Sequence, residues 1–230
     1  MRVVTYNTRG SLGMDNIRST RRIAEVVRGL SPDIVAFQEV HQRLAWSQGE
    51  DQPLGLELAL HRTFLFQRLL RYGRGGYGIG LAVRGTIIEQ HQHLLPSEKE
   101  PRGALEIRLR DVDGMRVTVF CTHWGLSSDE REKQGHALAE LVNAAPSPVV
   151  VCGDFNEDLE GAGVKRLLRE TGLSDADGIR QRPTFIAGDP KVRIDYIFYS
   201  SLLRLQNVEV VESLASDHLP VLADFTPQGC

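Results

Sequence analysis

The feature that most constrains the fold is a repeated local pattern: four short, largely apolar runs, each too short for a helix, end in polar side chains. Val3 to Tyr6 precede Asn7, and Ile34 to Phe37 precede Gln38-Glu39. Val117 to Cys121 precede Thr122-His123, and Val149 to Cys152 precede Gly153-Asp154. Runs of this length and composition read as buried strands. A polar group just beyond the carboxyl end of such a strand lies where layered α/β proteins gather ligand groups on a rigid scaffold. Two further clusters, Arg193-Ile194-Asp195-Tyr196 and Ser216-Asp217-His218-Leu219-Pro220, join them near the end of the chain.

Between these runs the periodicity predicts a helix over 15–30, with Asp15 as its cap and Ile17, Ile23, Ala24, Val27 and Leu30 on one face. Residues 40–62 read as loop and a short helix. Strands are expected at 64–70, 77–84, 86–94, 103–110 and 115–121, with Asp113-Gly114 as a hairpin turn. Ser127-Ser128-Asp129-Glu130 has the form of a capping box opening a second helix, which Pro146 and Pro148 stop. A helix near 161–172, a loop to 192 and strands at 194–199, 206–211 and 219–225 complete the series. No linker or repeat divides it, so one layered α/β domain over 1–230 with two packed sheets is expected, not a regular βαβ alternation.

Composition narrows the class. With 230 residues, 41% of them hydrophobic and 25% charged, the chain can bury a sizeable core and is neither disordered nor fibrous. No apolar run approaches a spanning helix, and Met1-Arg2 leads into Val3 without a stretch of signal-peptide length, so a cytoplasmic address is expected. Three cysteines, Cys121, Cys152 and Cys230, are an odd number and read as reduced, buried thiols. The formal charge of −3 argues against a histone-like nucleic-acid binder but says nothing of local patches.

Each polar fragment alone has a structural explanation: a turn at Asn7, an Asx turn at Gly153-Asp154-Phe155-Asn156, a simple ion pair of Asp195 with Arg193, a surface turn at Asp217-His218. Together they resemble the endonuclease/exonuclease/phosphatase superfamily of DNase-like phosphoesterases. The resemblance rests on Asn7-Thr8-Arg9-Gly10, Gln38-Glu39, Thr122-His123, Gly153-Asp154-Phe155-Asn156, Arg193-Ile194-Asp195-Tyr196 and Ser216-Asp217-His218-Leu219-Pro220, in family order. It implies a four-layer α/β/β/α sandwich of two mixed sheets with a Mg²⁺ or Mn²⁺ site at one end. His123, where abasic-DNA repair members carry tyrosine, is similar to the secreted DNase, sphingomyelinase and inositol-phosphatase branches.

Phosphodiester hydrolysis needs a hard cation and positioned proton carriers, because anionic oxygens repel a nucleophile and the leaving alkoxide is poor. On the resemblance, Glu39 is the expected metal ligand, with Asn7 and Asp217 completing or orienting its shell. Asp154 is expected to hold and deprotonate the attacking water, Asn156 to donate to the phosphorus centre, Asp195 to orient His218, and His218 and His123 to face phosphate oxygens. His91 and His93 share a strand face but lack a third ligand, and His41 and His61 read as surface residues.

Charge placement suggests the substrate. No acid occurs from Leu58 to Ile88, where Arg62, Arg68, Arg71, Arg74 and Arg84 fall, and Gly73, Gly75, Gly76, Gly78 and Gly80 make part of that segment flexible. A second group is Arg180, Arg182, Lys191 and Arg193. If Arg74, Arg182 and Arg193 flank the site, a nucleic-acid backbone is the expected substrate, with Phe64, Phe66, Tyr72, Tyr77 and Phe185 available for stacking. A phospholipid headgroup or small phosphate ester is the alternative; no long apolar loop or amphipathic basic helix is evident to dock a membrane, which counts against it. A non-catalytic binding module is the remaining reading, opposed by the full set of candidate ligands and proton carriers.

Overall fold

In the computed structural model, which describes residues 1–228, all four apolar runs become interior strands. The first sheet contains β1 (Arg2–Asn7), β2 (Ile34–Gln42), β3 (Thr63–Tyr72), β4 (Gly75–Val83), β11 (Leu203–Val210) and β12 (Val221–Pro227) in the order β11-β12-β1-β2-β4-β3. The second contains β5 (Thr86–Leu95), β6 (Arg102–Arg110), β7 (Arg116–His123), β8 (Val149–Asp154), β9 (Ser174–Asp175) and β10 (Asp195–Tyr199) in the order β5-β6-β7-β8-β10-β9. β1 and β2 run parallel, as do β7 and β8, so the polar ends of all four lie at one end of the sandwich.

Three apolar layers hold it together. Between the sheets, Val3, Ile34, Ala36, Cys121, Cys152 and Ile197 are among the buried contacts. α1 (Thr20–Leu30) and α2 (Gln52–Leu60) cover the first sheet through Ile23, Val27 and Leu56. α3 (Ser128–Ala144) and α4 (Ala162–Thr171) cover the second through Leu138, Val142, Val164 and Leu167. The expected four-layer sandwich is what forms. Cys121 and Cys152 are buried register partners, and burial pushes the Cys121 thiol up to about 12, as suits packing beneath a site; Cys230 lies outside the described residues.

Local expectations fail where a side chain finds a distant partner. α1 begins at Thr20, not near Asp15: Ser19 caps it by accepting from Arg22 N, while Asp15 pairs with the Arg22 guanidinium at 2.6 Å and Ile17 stays exposed. Ser127 caps α3 without a side-chain bond, because the Glu130 carboxylate accepts instead from the backbone N–H of Glu98. His41 is buried, not on the surface; His61 is exposed as expected.

The glycine-rich part of the acid-free segment forms the β3–β4 hairpin. A Cβ at Gly78 would lie 1.9 Å from the Gln67 carbonyl oxygen, so glycine permits that close strand contact. The hairpin also splits the arginine group. Arg62 donates to the Asp33 carbonyl at the end remote from Asn7, beside Arg84. Arg68 is held by Gln42, and Arg71 and Arg74 are exposed at the tip, on the polar end of the sheet.

Candidate active site

The second sheet places its site residues in one row. Gly103, His123, Asp154 and Asp195 are successive register partners across β6, β7, β8 and β10. Two residues down the strands, Cys121, Cys152 and Ile197 point into the layer between the sheets. Since side chains alternate with a period of two, His123, Asp154 and Asp195 project the same way, into the mouth between the sheets. Gly153 makes the row possible: a Cβ there would sit 2.1 Å from the Thr122 carbonyl oxygen.

The first sheet contributes Asn7 by the same alternation, but Glu39 by an exception. Gln38 follows Ala36 on the inner face and donates to Thr5 Oγ1 and Cys121 Sγ, so a regular strand would turn Glu39 away toward the helices. A bulge between Phe37 and Val40, with Glu39 at φ 55°, redirects the carboxylate to accept from Asn7 Nδ2 at 3.1 Å.

Three side chains converge on Asp154 Oδ2. Asn7 Nδ2 donates to it at 2.8 Å, His123 Nε2 lies 3.5 Å away and His218 Nε2 3.8 Å away. Its other oxygen accepts from Asn156 N at 2.9 Å, and Asn156 Nδ2 donates to the Trp124 carbonyl. His218 Nδ1 lies 2.9 Å from Asp195 Oδ2, which also accepts from Thr184 Oγ1. Asp217 pairs with Arg9 at 3.3 Å. A cleft of about 510 Å³ opens onto Glu39, His123, Asp154, Asn156, Asp217 and His218.

Burial pushes the Asp154 carboxyl up to about 7, the nearby Asp195 charge adding to it and His218 opposing it. Burial raises Glu39 as well, despite the Asn7 hydrogen bond. For His218 burial acts downward, but Asp195 and Asp154 outweigh it and lift the imidazole to about 10, so it is a cation at neutral pH. His123 goes the other way: burial, Arg102 and His218 press it well below the ordinary value, so it is neutral.

All eight expected site residues, Asn7, Glu39, His123, Asp154, Asn156, Asp195, Asp217 and His218, are therefore brought together. The arginine expectations divide. Arg193 is buried, forms a two-bond pair with Asp175 at 2.6 Å and lies over the Tyr196 ring, so it cannot reach a substrate. Arg182 is bound to Asp177 and the Val208 carbonyl. Arg193 is drawn inward to Asp175, while Arg182, 31% exposed, is tied across its loop to the buried Asp177. Arg74 is exposed at the hairpin tip and forms no ion pair among the described residues.

Arg102 carries no signal in the sequence pattern, and Tyr77, expected only as a stacking ring, joins the site by its hydroxyl. Arg102 is 6% exposed, lines the cleft, pairs with Glu100 and keeps Nη1 without a partner. Tyr77 Oη lies 3.3 Å from His123 Nδ1. In sequence Arg102 precedes an ordinary strand; only its neighbour Gly103, in register with His123, marks it.

Residues 4–218 match the model of the endonuclease/exonuclease/phosphatase family, and the chain belongs to that family of phosphoester hydrolases. Among curated relatives, a UPF0294 protein of Vibrio parahaemolyticus is 33% identical over 132 residues, 55% of this chain and 46% of its own length. The uncharacterised protein YbhP of Escherichia coli K12 is 32% identical over 196 residues, covering 76% and 75% of the two chains. The chain thus spans about half the length of the Vibrio relatives it matches. An endonuclease/exonuclease/phosphatase structure from Beutenbergia cavernae superposes with a TM-score of 0.83 at 22% identity, over 100% of this chain and 72% of that one.

Proposed function

We propose that this chain is a Mg²⁺- or Mn²⁺-dependent phosphodiester hydrolase acting by in-line attack of water. The observation that carries the reading is the convergence of Asn7, His123 and His218 on Asp154 Oδ2 at the floor of a cleft that Glu39 and Asp217 also line.

Glu39, Asp154, Asp195 and Asp217 bring four carboxylates to one mouth, and burial already works against ionisation of Glu39 and Asp154. An acid-rich set of hard oxygen donors suits a divalent cation. Asp154, Asp195 and His218 lie close enough to hold an ion together. A protonated imidazole repels a cation, however, so Glu39 and Asp217 are the better seat. Asn7 uses its oxygen on Arg9 N and its amide hydrogens on Glu39 and Asp154, which makes it an orienting residue. The cation, when bound, withdraws charge from a phosphoryl oxygen and the leaving group.

The chain's own residues supply the rest. Asp154, with a proton affinity near neutrality, accepts the proton of the attacking water. His218, cationic and locked by Asp195, donates to a phosphoryl oxygen. Tyr77 donates to His123 Nδ1, leaving the ring hydrogen on Nε2, toward Asp154 and the phosphate. Arg102 offers its free Nη1 to a second oxygen, and Asn156 its remaining amide hydrogen. The whole span from Asn7 to His218 acts as a single unit.

A nucleic-acid substrate is a second reading, favoured on one rim. There the exposed Trp46 and Tyr72 rings meet edge to face at 4.9 Å beside Arg71 and Arg74. Purified protein with Mg²⁺ or Mn²⁺ should hydrolyse bis-p-nitrophenyl phosphate with complete loss in EDTA. Asp154→Asn and Arg102→Gln should each lower kcat by about 10²-fold or more. Activity in Asp154→Asn within a few-fold of wild type would refute the assignment.

A further inference from the structure

Next to the catalytic cleft lies a second depression, a groove of about 610 Å³ bordered by Met14, Phe185, Ile186 and Val192. Its apolar side chains are open to solvent: Met14 is 37% exposed, Ile186 and Val192 each 47%, and the adjoining Leu214 59%. They come from three separate loops. Met14 N donates to the Leu214 carbonyl at 3.0 Å, and Phe185 pairs with Val192 through reciprocal backbone bonds of 3.1 Å. The loop carrying Ile186 is fastened to the cleft, because Ala187 N donates to the Asp217 carbonyl at 2.8 Å. An apolar surface that no single stretch of sequence contains is thus assembled by tertiary contacts.

Phe185 joins the two depressions. Its ring packs on His218 with centroids 4.7 Å apart, and it lines both the cleft and the groove. Phe185 is therefore the wall that a phosphate held at His218 shares with the groove. Asp189 and Lys191, the charged side chains bordering the groove, neutralise each other at 2.9 Å and are exposed at its edge. A nucleobase there would find no uncharged polar side chain to meet its edge, whereas a hydrocarbon chain needs none.

We infer that the groove receives the acyl chain of a lipid phosphodiester whose phosphate occupies the adjoining cleft, an assignment that rests on the phosphodiesterase reading of that cleft. The exposed rim of Met14, Ile186, Val192 and Leu214 then meets the bilayer from which the lipid is taken.

The test uses the full chain in two measurements. Flotation with phosphatidylcholine/phosphatidylglycerol vesicles in EDTA reads membrane engagement without turnover. Hydrolysis with Mn²⁺ compares dihexanoyl phosphatidylcholine with bis-p-nitrophenyl phosphate. Ile186→Asp, Val192→Asp and, from a different loop, Leu214→Asp sit at exposed positions, and their melting curves verify folding. Each should cut vesicle binding about tenfold and lower the ratio of lipid to chromogenic rates by a similar factor. Ile179→Asp, an exposed apolar residue outside the groove, should bind vesicles as wild type does. Wild-type protein that does not float, groove variants that float as well as wild type, or groove variants that lose plasmid DNA while keeping vesicles would each overturn the inference. Loss of chromogenic hydrolysis in wild type would instead remove the phosphodiesterase reading, which the EDTA flotation does not depend on.

Discussion

Asp195 Oδ2 accepts the hydrogen of His218 Nδ1 at 2.9 Å and, on the same oxygen, that of Thr184 Oγ1 at 2.6 Å. Asp195 is fully buried and stands in register with Asp154 on the neighbouring strand. One carboxylate therefore fixes the direction of the imidazolium whose other nitrogen faces the second carboxylate. This arrangement keeps His218 charged in a place where burial alone would discharge it.

Replacing Asp195 with Asn should lower kcat by about 10²- to 10⁴-fold. The imidazole is raised by Asp195, so its affinity for the proton must fall in the variant. Because the protonated form is the working one, the loss of activity at high pH should begin at lower pH than in wild type. A pH–rate profile with an unmoved alkaline limb would assign that limb to another group.

Glu39→Gln should raise the Mg²⁺ concentration for half-maximal activity by about tenfold or more, since one of the few charged ligands of a hard cation is lost. A metal titration of the hydrolytic rate measures this directly. An unchanged midpoint with a reduced plateau would place Glu39 outside the metal's ligands.

Arg193→Ala should act on folding rather than on substrate. Both members of its pair with Asp175 are nearly excluded from solvent, and removing one leaves a buried charge at a cost of about 3 to 5 kcal/mol. Urea denaturation should show that loss, while KM for a small phosphodiester stays within a few-fold. A large KM increase with unaltered stability would reverse the assignment.

His41 should make stability fall with acid. Burial holds its imidazole near about 4, below the ordinary 6.5, so the unfolded chain takes up a proton before the folded one does. The penalty starts below pH 6.5, grows by about 1.4 kcal/mol per pH unit and levels off below pH 4, at roughly 3 kcal/mol. Comparing wild type with His41→Gln in EDTA, the stability difference should shift toward the variant by about 2 kcal/mol between pH 7.5 and pH 5. No shift would mean that His41 takes up its proton in the folded state.

How much of the site was legible depends on the range of the interaction. Asn7, His123 and Asp154 were readable because each falls one or two residues after an apolar run, and strand alternation fixes their side from local pattern alone. Asp217 and His218 were recognisable as a motif. Arg102 was not, since its role comes from a register match between Gly103 and His123, twenty residues apart in sequence.

The chain's sequence determined the strands, their polar ends and hence the family, since hydrophobic periodicity and motif order are local and survive without knowledge of the partners. Tertiary structure alone decided which way Glu39 points, because a bulge of one residue reverses a side chain's face. It also decided that Arg182 and Arg193 are tied to Asp177 and Asp175 while Arg74 is exposed at the hairpin tip. And it gathered Met14, Ile186, Val192 and Leu214 into one apolar rim beside the phosphate cleft. Charges and exposed apolar groups are assigned by whatever lies across space from them, and that neighbour is not written next to them in the chain.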